Sequence, residues 1–222
     1  MATLFIETAT PLCAIALGHN GDTLVRLLDD DRRHVEALTP GIAQLLSEVS
    51  LTPRDLTRVV VDRGPGLYTG LRVGVSTAVA FADGLGCDVV GVTSLELLAH
   101  GAHADGVRGR FLALVDGRRS EVFAQSFDLA DSVQSTSEPS VRTPNDIVVE
   151  YGTSGAPTTF GGDGAVKYRD LFSLMNWISF APSTQSWLAA GVTVGATRPV
   201  GPIELLYLRE PDAVANFTTR AT

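Results

Sequence analysis

The chain contains a single lysine, Lys167, among 222 residues, and Tyr168 follows it. A P-loop needs Lys followed by Ser or Thr after its glycines, so that class of nucleotide enzyme is excluded. Cysteine is almost as scarce. Cys13 and Cys87 are the only two, neither at a metal-type pair spacing, and they read as free thiols of a reducing compartment. No basic residue precedes Arg26 and Glu7 interrupts the first apolar run, so the start does not read as a secretory signal. Residues 171–197 lack charge, but Asn176, Pro182 and Ser183-Thr-Gln-Ser186 break the run, and a span needs ~20 mostly apolar residues. A soluble cytoplasmic protein is expected. Neither His-Glu-x-x-His nor Gly-x-Ser-x-Gly occurs, which leaves a zinc peptidase or a serine hydrolase without its anchor. The net charge of −8 counts against a large nucleic-acid footprint, although sixteen arginines allow a local basic patch.

What is present centres on Arg63-Gly-Pro-Gly-Leu-Tyr-Thr-Gly-Leu-Arg-Val-Gly74. An apolar strand at 58–61 runs into a glycine-proline turn and then into an apolar helix opening near Thr69, whose hydroxyl is placed to cap it. Such a strand–turn–helix corner either cradles an anion on helix amides or packs closely against its neighbours. The dinucleotide fingerprint is incomplete, because Thr69 stands in the place of the third glycine and Gly70 comes one position late.

Along the chain, Leu4–Ile6, Cys13–Leu17 and Thr23–Leu28 read as three strands of an antiparallel meander. Val35, Leu38, Ile42, Leu45, Leu46 and Val49 recur at helical spacing, with Pro40 inside the run. Helix two, about 69–85, is apolar almost all round and must be covered on more than one side; Gly74, Ser76, Thr77 and Ala78 suit a close helix neighbour. Strand 88–92 and a helix capped by Ser94 follow. From Phe111 the pattern restarts with strands 111–115 and 121–127. Residues 130–158 carry no clear period, 158–160 reads as a strand, and helices are expected to about Leu174 and near 183–190. Two lobes, 1–103 and 104–222, are the economical α/β architecture.

If each lobe opens with a phosphate-holding hairpin, Glu7-Thr-Ala-Thr10 and Asp116-Gly-Arg-Arg-Ser120 occupy those places. Glu7 and Asp116 would then hold Mg-ATP, although the first hairpin has no glycine; the plainer reading is two strand ends and a solvated turn. Glu96, His100 and His103 share one helical face, a conceivable zinc arrangement, with an ordinary exposed helix end as the simpler account.

Leu4–Thr10, His34-Val-Glu36 with Leu38 and Pro40, the 63–74 segment, Ser94-Leu-Glu96, 116–123, Gly162-Asp-Gly164 and Tyr207-Leu-Arg-Glu-Pro-Asp-Ala213 together resemble the bacterial TsaB (YeaZ) family. The resemblance covers nearly the whole chain in order. It implies a two-lobed ASKHA (actin/Hsp70-like) fold, each lobe a mixed sheet with packed helices. The implied role is that of a non-catalytic subunit in making N6-threonylcarbamoyladenosine (t6A) at position 37 of tRNA. The first two helices of the family pack against the matching pair of TsaD, the catalytic subunit, or against a second copy. The resemblance therefore assigns partner contact to Val35, Leu38, Ile42, Leu45, Leu71, Arg72, Val75 and Val79. It implies TsaD and the ATPase TsaE as partners, tRNA only through the complex, a possible homodimer of the free chain, and no catalytic residue, cofactor or metal of its own. The His-x-x-x-His metal pair of TsaD is reduced here to His34 with Leu38 four places on. Glu7 for Asp, Leu67-Tyr68 for Ser-Phe and Gly117 for Ala depart from the family pattern, the first weakening nucleotide binding further. The alternative is a small ASKHA ATPase or phosphotransferase using Glu7 and Asp116.

Overall fold

A computed structural model of the chain describes residues 2–28, 34–152, 158–173, 177–181 and 183–209, without the side chains of His34, Val35 and Trp177. The expected meander is β1 (Ala2–Glu7), β2 (Ala14–His19) and β3 (Asp22–Leu27), paired antiparallel. Its tight turn places Asn20 and Gly21 at φ of 54° and 92°, the left-handed pair that matches strand twist in a two-residue hairpin. β4 (Leu56–Asp62) and β5 (Asp88–Val92) add parallel strands, giving the order β3-β2-β1-β4-β5.

Period-two alternation gives this sheet two apolar faces. Leu4, Ile6, Ile15, Leu17, Val59 and Val61 pack on α1 (His34–Glu48) and α2 (Tyr68–Leu85). Phe5, Ala14, Ala16, Val60, Val90 and Val92 point the other way, onto α3 (Ser94–Ala104) and α7 (Thr184–Thr197). The far sides of those two helices lie on a second sheet, through Phe111, Ala113 and Val115 of β6 (Arg110–Arg118) and Phe123 and Phe127 of β7 (Glu121–Asp128). The alternate residues Leu112, Leu114, Val122 and Ala124 form a third core. It is closed by α4 (Pro144–Gly152), α5 (Asp163–Lys167) and α6 (Arg169–Phe172). Helices and sheets thus alternate in five layers, the α/β ASKHA architecture.

The second sheet runs β11-β10-β6-β7-β8, with β9 also on β7. Its short strands β8 (Gln134–Ser135) and β9 (Ser140–Arg142), together with α4, occupy the stretch without a readable period. β10 (Thr158–Gly161) is where a strand was expected, whereas β11 (Trp177–Phe180) was not anticipated. The helix expected to reach about Leu174 is two short ones broken at Tyr168, and Leu174 itself lies outside the described residues.

α7 runs seven residues beyond the expected end near Ala190 and, though distant in sequence, packs on the first sheet. Gly191 and Gly195, one turn apart, make that approach possible. A Cβ on Gly191 would lie 2.4 Å from the Phe5 ring, and one on Gly195 would lie 2.3 Å from a Val60 methyl. Among the described residues no helix is long and apolar enough to cross a membrane.

Candidate functional site

β1 and β4 are parallel neighbours in the register Ile6 to Val61, so their next residues, Glu7 and Asp62, end side by side. Both are fully buried. Glu7 Oε1 accepts from the Thr10 amide at 2.9 Å and its hydroxyl at 3.1 Å. Asp62 Oδ1 accepts from the Gly64 amide at 2.7 Å and the Ser94 hydroxyl at 2.9 Å. The remaining oxygens, Glu7 Oε2 and Asp62 Oδ2, meet no donor from the rest of the described chain; one proton held between the two carboxyls satisfies both. Burial, and then the Asp62 charge, hold Glu7 well above the usual carboxylate range. Asp62, also raised by burial, is relieved by the hydrogen bonds it accepts. Sequence reasoning missed Asp62, although an acid ending each of two adjacent apolar strands was the available signal.

The glycine corner follows directly. Its Gly64–Pro65 peptide is cis and Gly64 has φ of 104°. Thr69 does not cap α2; Leu67 is the N-cap residue, with no side-chain cap. Its amide donates instead to the Ala9 carbonyl at 2.6 Å, and the Thr8 hydroxyl donates to the Gly70 carbonyl at 2.7 Å. A Cβ on Gly66 would stand 2.1 Å from the Ala9 oxygen, and one on Gly70 only 1.9 Å from the Thr8 oxygen. The glycines therefore let the β1–β2 loop lie against the first turn of α2. Loop backbone occupies the space a phosphate would need, and of the two readings of this corner, close packing holds.

At the second hairpin Asp116 is engaged as well. Lys167, the sole lysine, donates to both its carboxylate oxygens at 2.8 and 2.9 Å, and the Arg118 amide donates to Oδ1 at 3.0 Å. The Asp116 amide in turn donates to Asp163 Oδ1 at 2.9 Å. The pair Glu7 and Asp116, expected to flank Mg-ATP in the alternative reading, is thus neutralised at both ends by the chain itself. Glu96, His100 and His103 do not form a metal cluster among the described residues. Glu96 pairs with Arg198 and accepts from Thr93 Oγ1, and Thr93, rather than Ser94, caps α3.

The residues assigned to partner contact separate by face. Leu38, Ile42, Leu45 and Leu71 are at most 1% exposed, inside the chain's own core. Their side chains cannot meet a partner in this fold: the apolar period that betrays the helix marks the face turned to the sheet. Val75 and Val79 are half-buried and Arg72 is exposed; Val35 lies outside the described side chains. Arg72 stacks 4.1 Å over the Tyr68 ring and donates to the Tyr207 hydroxyl at 3.1 Å, with the two tyrosine rings 5.2 Å apart. The 203–209 segment is so clasped to α2, with Arg209 paired to Glu121; 210–213 of the sequence-matched ending lie outside the described residues.

A family model described as TsaD, tRNA N6-adenosine threonylcarbamoyltransferase, matches residues 29–184. An uncharacterized protein of Mycobacterium tuberculosis is 34% identical over 213 residues, covering 95% of this chain and 92% of that one. A Mycobacterium leprae protein is 36% identical over 217 residues, covering 95% of this chain and 55% of its own length. The tRNA threonylcarbamoyladenosine biosynthesis protein TsaB of Escherichia coli is 32% identical over 123 residues, 55% of this chain and 53% of that protein. The chain thus spans about half the length of some of the relatives it matches. Among solved structures, YeaZ from Pseudomonas aeruginosa superposes with a TM-score of 0.73 at 24% identity, covering 88% of this chain and 92% of that one. A second structure, described by its similarity to the same protein, gives 0.78 at 24% identity, with 94% and 99% covered. On the family-model match and the mycobacterial identity, the chain belongs to the family described as TsaD, tRNA N6-adenosine threonylcarbamoyltransferase, and over about half its length it is similar to the TsaB proteins.

Proposed function

We propose that the chain acts in t6A modification at position 37 of tRNA as a non-catalytic scaffold in the cytoplasm, binding TsaD and acting with TsaE. It reaches tRNA only through the complex. The observation that carries this reading is that both carboxylates expected to hold Mg-ATP are engaged within the chain, Glu7 with Asp62 and Asp116 with Lys167, while the glycine corner is packed shut by the β1–β2 loop backbone. A fold that keeps its shape while its acidic residues are taken up internally serves best as a surface. That surface is the outward side of α2, with Arg72, Val75, Ser76 and Val79, rather than the buried residues of α1. The same side would close a homodimer of the free chain. Residues 1–103 and 104–222 serve as the two lobes, with α7 returning from the second to brace the first.

The test is titration of TsaD with Ser76→Trp, which alters an exposed helix position, and with Val79→Glu. Loss of a central contact weakens such interfaces by about thirtyfold or more. Both variants should lose TsaD binding while melting as cooperatively as the parent, and threonylcarbamoyl transfer reconstituted with them should fall to the level without the chain. Parental binding by both would reject the α2 surface.

A further inference from the structure

A cleft of about 540 Å³ lies among α3, the β7–β8 side of the second sheet and the returning 198–208 segment. Its volume is in the range of small-ligand sites, and the scaffold reading makes no use of it.

Two arginines line its wall. Arg63 has one nitrogen, Nη1, on the Glu204 carbonyl at 3.1 Å. Arg198 has Nη2 on Glu96. Nε and Nη2 of Arg63, and Nε and Nη1 of Arg198, make no hydrogen bond among the described residues. Both arginines also line a neighbouring cleft of about 260 Å³ with Gly91 and Pro199, so they stand together as the partition between the two. Arg63 is held in place rather than swinging free. Its stem lies so close to β5 that a Cβ on Gly91 would come within 2.7 Å of Arg63 Cδ. A fixed fork whose Nε and Nη2 form one unused edge is suited to bidentate recognition of a planar anion.

The surroundings favour one negative charge and no more. Thr93, the N-cap of α3, lines the cleft and brings the positive end of that helix to it. Its hydroxyl already accepts from the Glu96 amide at 3.1 Å, which leaves recognition to the guanidiniums. His100, also in the wall, is held below its usual range by burial, then by His103 and Arg198; it is neutral near pH 7 and adds no charge. Against the two arginines stand Glu96 and, farther along the wall, the exposed Glu138. That acidic pair disfavours polyanions such as nucleotides or an RNA backbone. Of the rest of the lining, Gln125 and Ser135 are polar, while Phe127, Val133, Pro139, Leu206 and Leu208 supply an apolar side.

We propose that this cleft binds a small organic monocarboxylate, its carboxylate bidentate on Arg63 beside Arg198 and its apolar body against Phe127, Val133 and Leu208. Its occupancy is measurable without TsaD.

The experiment is calorimetric titration of the full chain with 4-phenylbutyrate, phenylacetate, inorganic phosphate and ATP. Saturable binding of 4-phenylbutyrate is expected, weaker for the shorter phenylacetate and weaker still for phosphate and ATP. Replacing a charge-assisted bidentate contact in Arg63→Gln should weaken it about tenfold or more. Val133→Trp, which fills the apolar half and leaves both guanidiniums intact, should abolish it, and this variant decides the matter if Arg63→Gln does not fold. Absence of saturable carboxylate binding, tighter binding of ATP than of carboxylates, or carboxylate binding unaltered in Val133→Trp would overturn the assignment.

Discussion

Replacing Glu7 with Gln tests the shared proton directly. The amide keeps the shape of the protonated acid, its oxygen still accepts from Thr10, and its nitrogen donates to Asp62 Oδ2 in place of the proton. In the parent, the carboxyl pair retains a proton at pH values where an unfolded glutamate, with its ordinary value of 4.5, has lost it. Folding then takes up one proton, and stability falls as pH rises above 4.5 by about 1.4 kcal/mol per pH unit for as long as the proton is held. Its contribution is complete below 4.5 and is lost as pH climbs through the raised value of the pair. Glu96 and Asp163, also raised by burial, act in the same direction, while His100 acts oppositely near 6.5. These contributions cancel in the difference between parent and variant. Urea unfolding of both from pH 5 upward should show the parent losing stability relative to Glu7→Gln as pH rises, until the pair releases its proton. Parallel curves, separated by a constant offset, would refute the shared proton.

Two further outcomes follow from packing. Gly70→Ala places a methyl 1.9 Å from the Thr8 carbonyl and should destabilise the fold by about 1–3 kcal/mol despite its helix propensity. Gly84→Ala, with nothing within 4 Å of the new Cβ, should instead stabilise by up to about 1 kcal/mol in the same urea assay. Burial and then the nearby Glu7 push the Cys13 thiol up to about 11; mass-resolved labelling with a thiol reagent at pH 8 should modify it only as fast as the chain unfolds, ahead of which Cys87 reacts.

The strands of the first sheet and the helices α1 to α3 were legible because each buries an apolar set at its own period. Glu7 and Asp62 were harder to see as a pair. Strand register decides which residues meet, and nothing local in either run states that β1 and β4 are parallel neighbours. The same limit applies to Asp116 and Lys167, brought together across 51 residues. β8, β9 and α4 were unreadable because two- or three-residue strands and a short helix present too few turns of any period. Four residues expected to meet a partner are buried for a physical reason. Leu38, Ile42, Leu45 and Leu71 drew attention by their helical recurrence, yet recurrence on one side is what seats a helix on its own sheet. The outward side of α2 is chemically quieter, with Arg72, Ser76 and two half-covered valines.

The placement of α7 also bears on how the chain is made. The side of the first sheet that carries Phe5, Val60 and Val92 gains α7, the second of its two covering helices, only once Gly191 and Gly195 have been synthesised. At ordinary elongation rates that is on the order of ten seconds after β5 emerges. During that interval the part of the strand surface that α7 will cover stands open to solvent, whatever the stability of the finished protein.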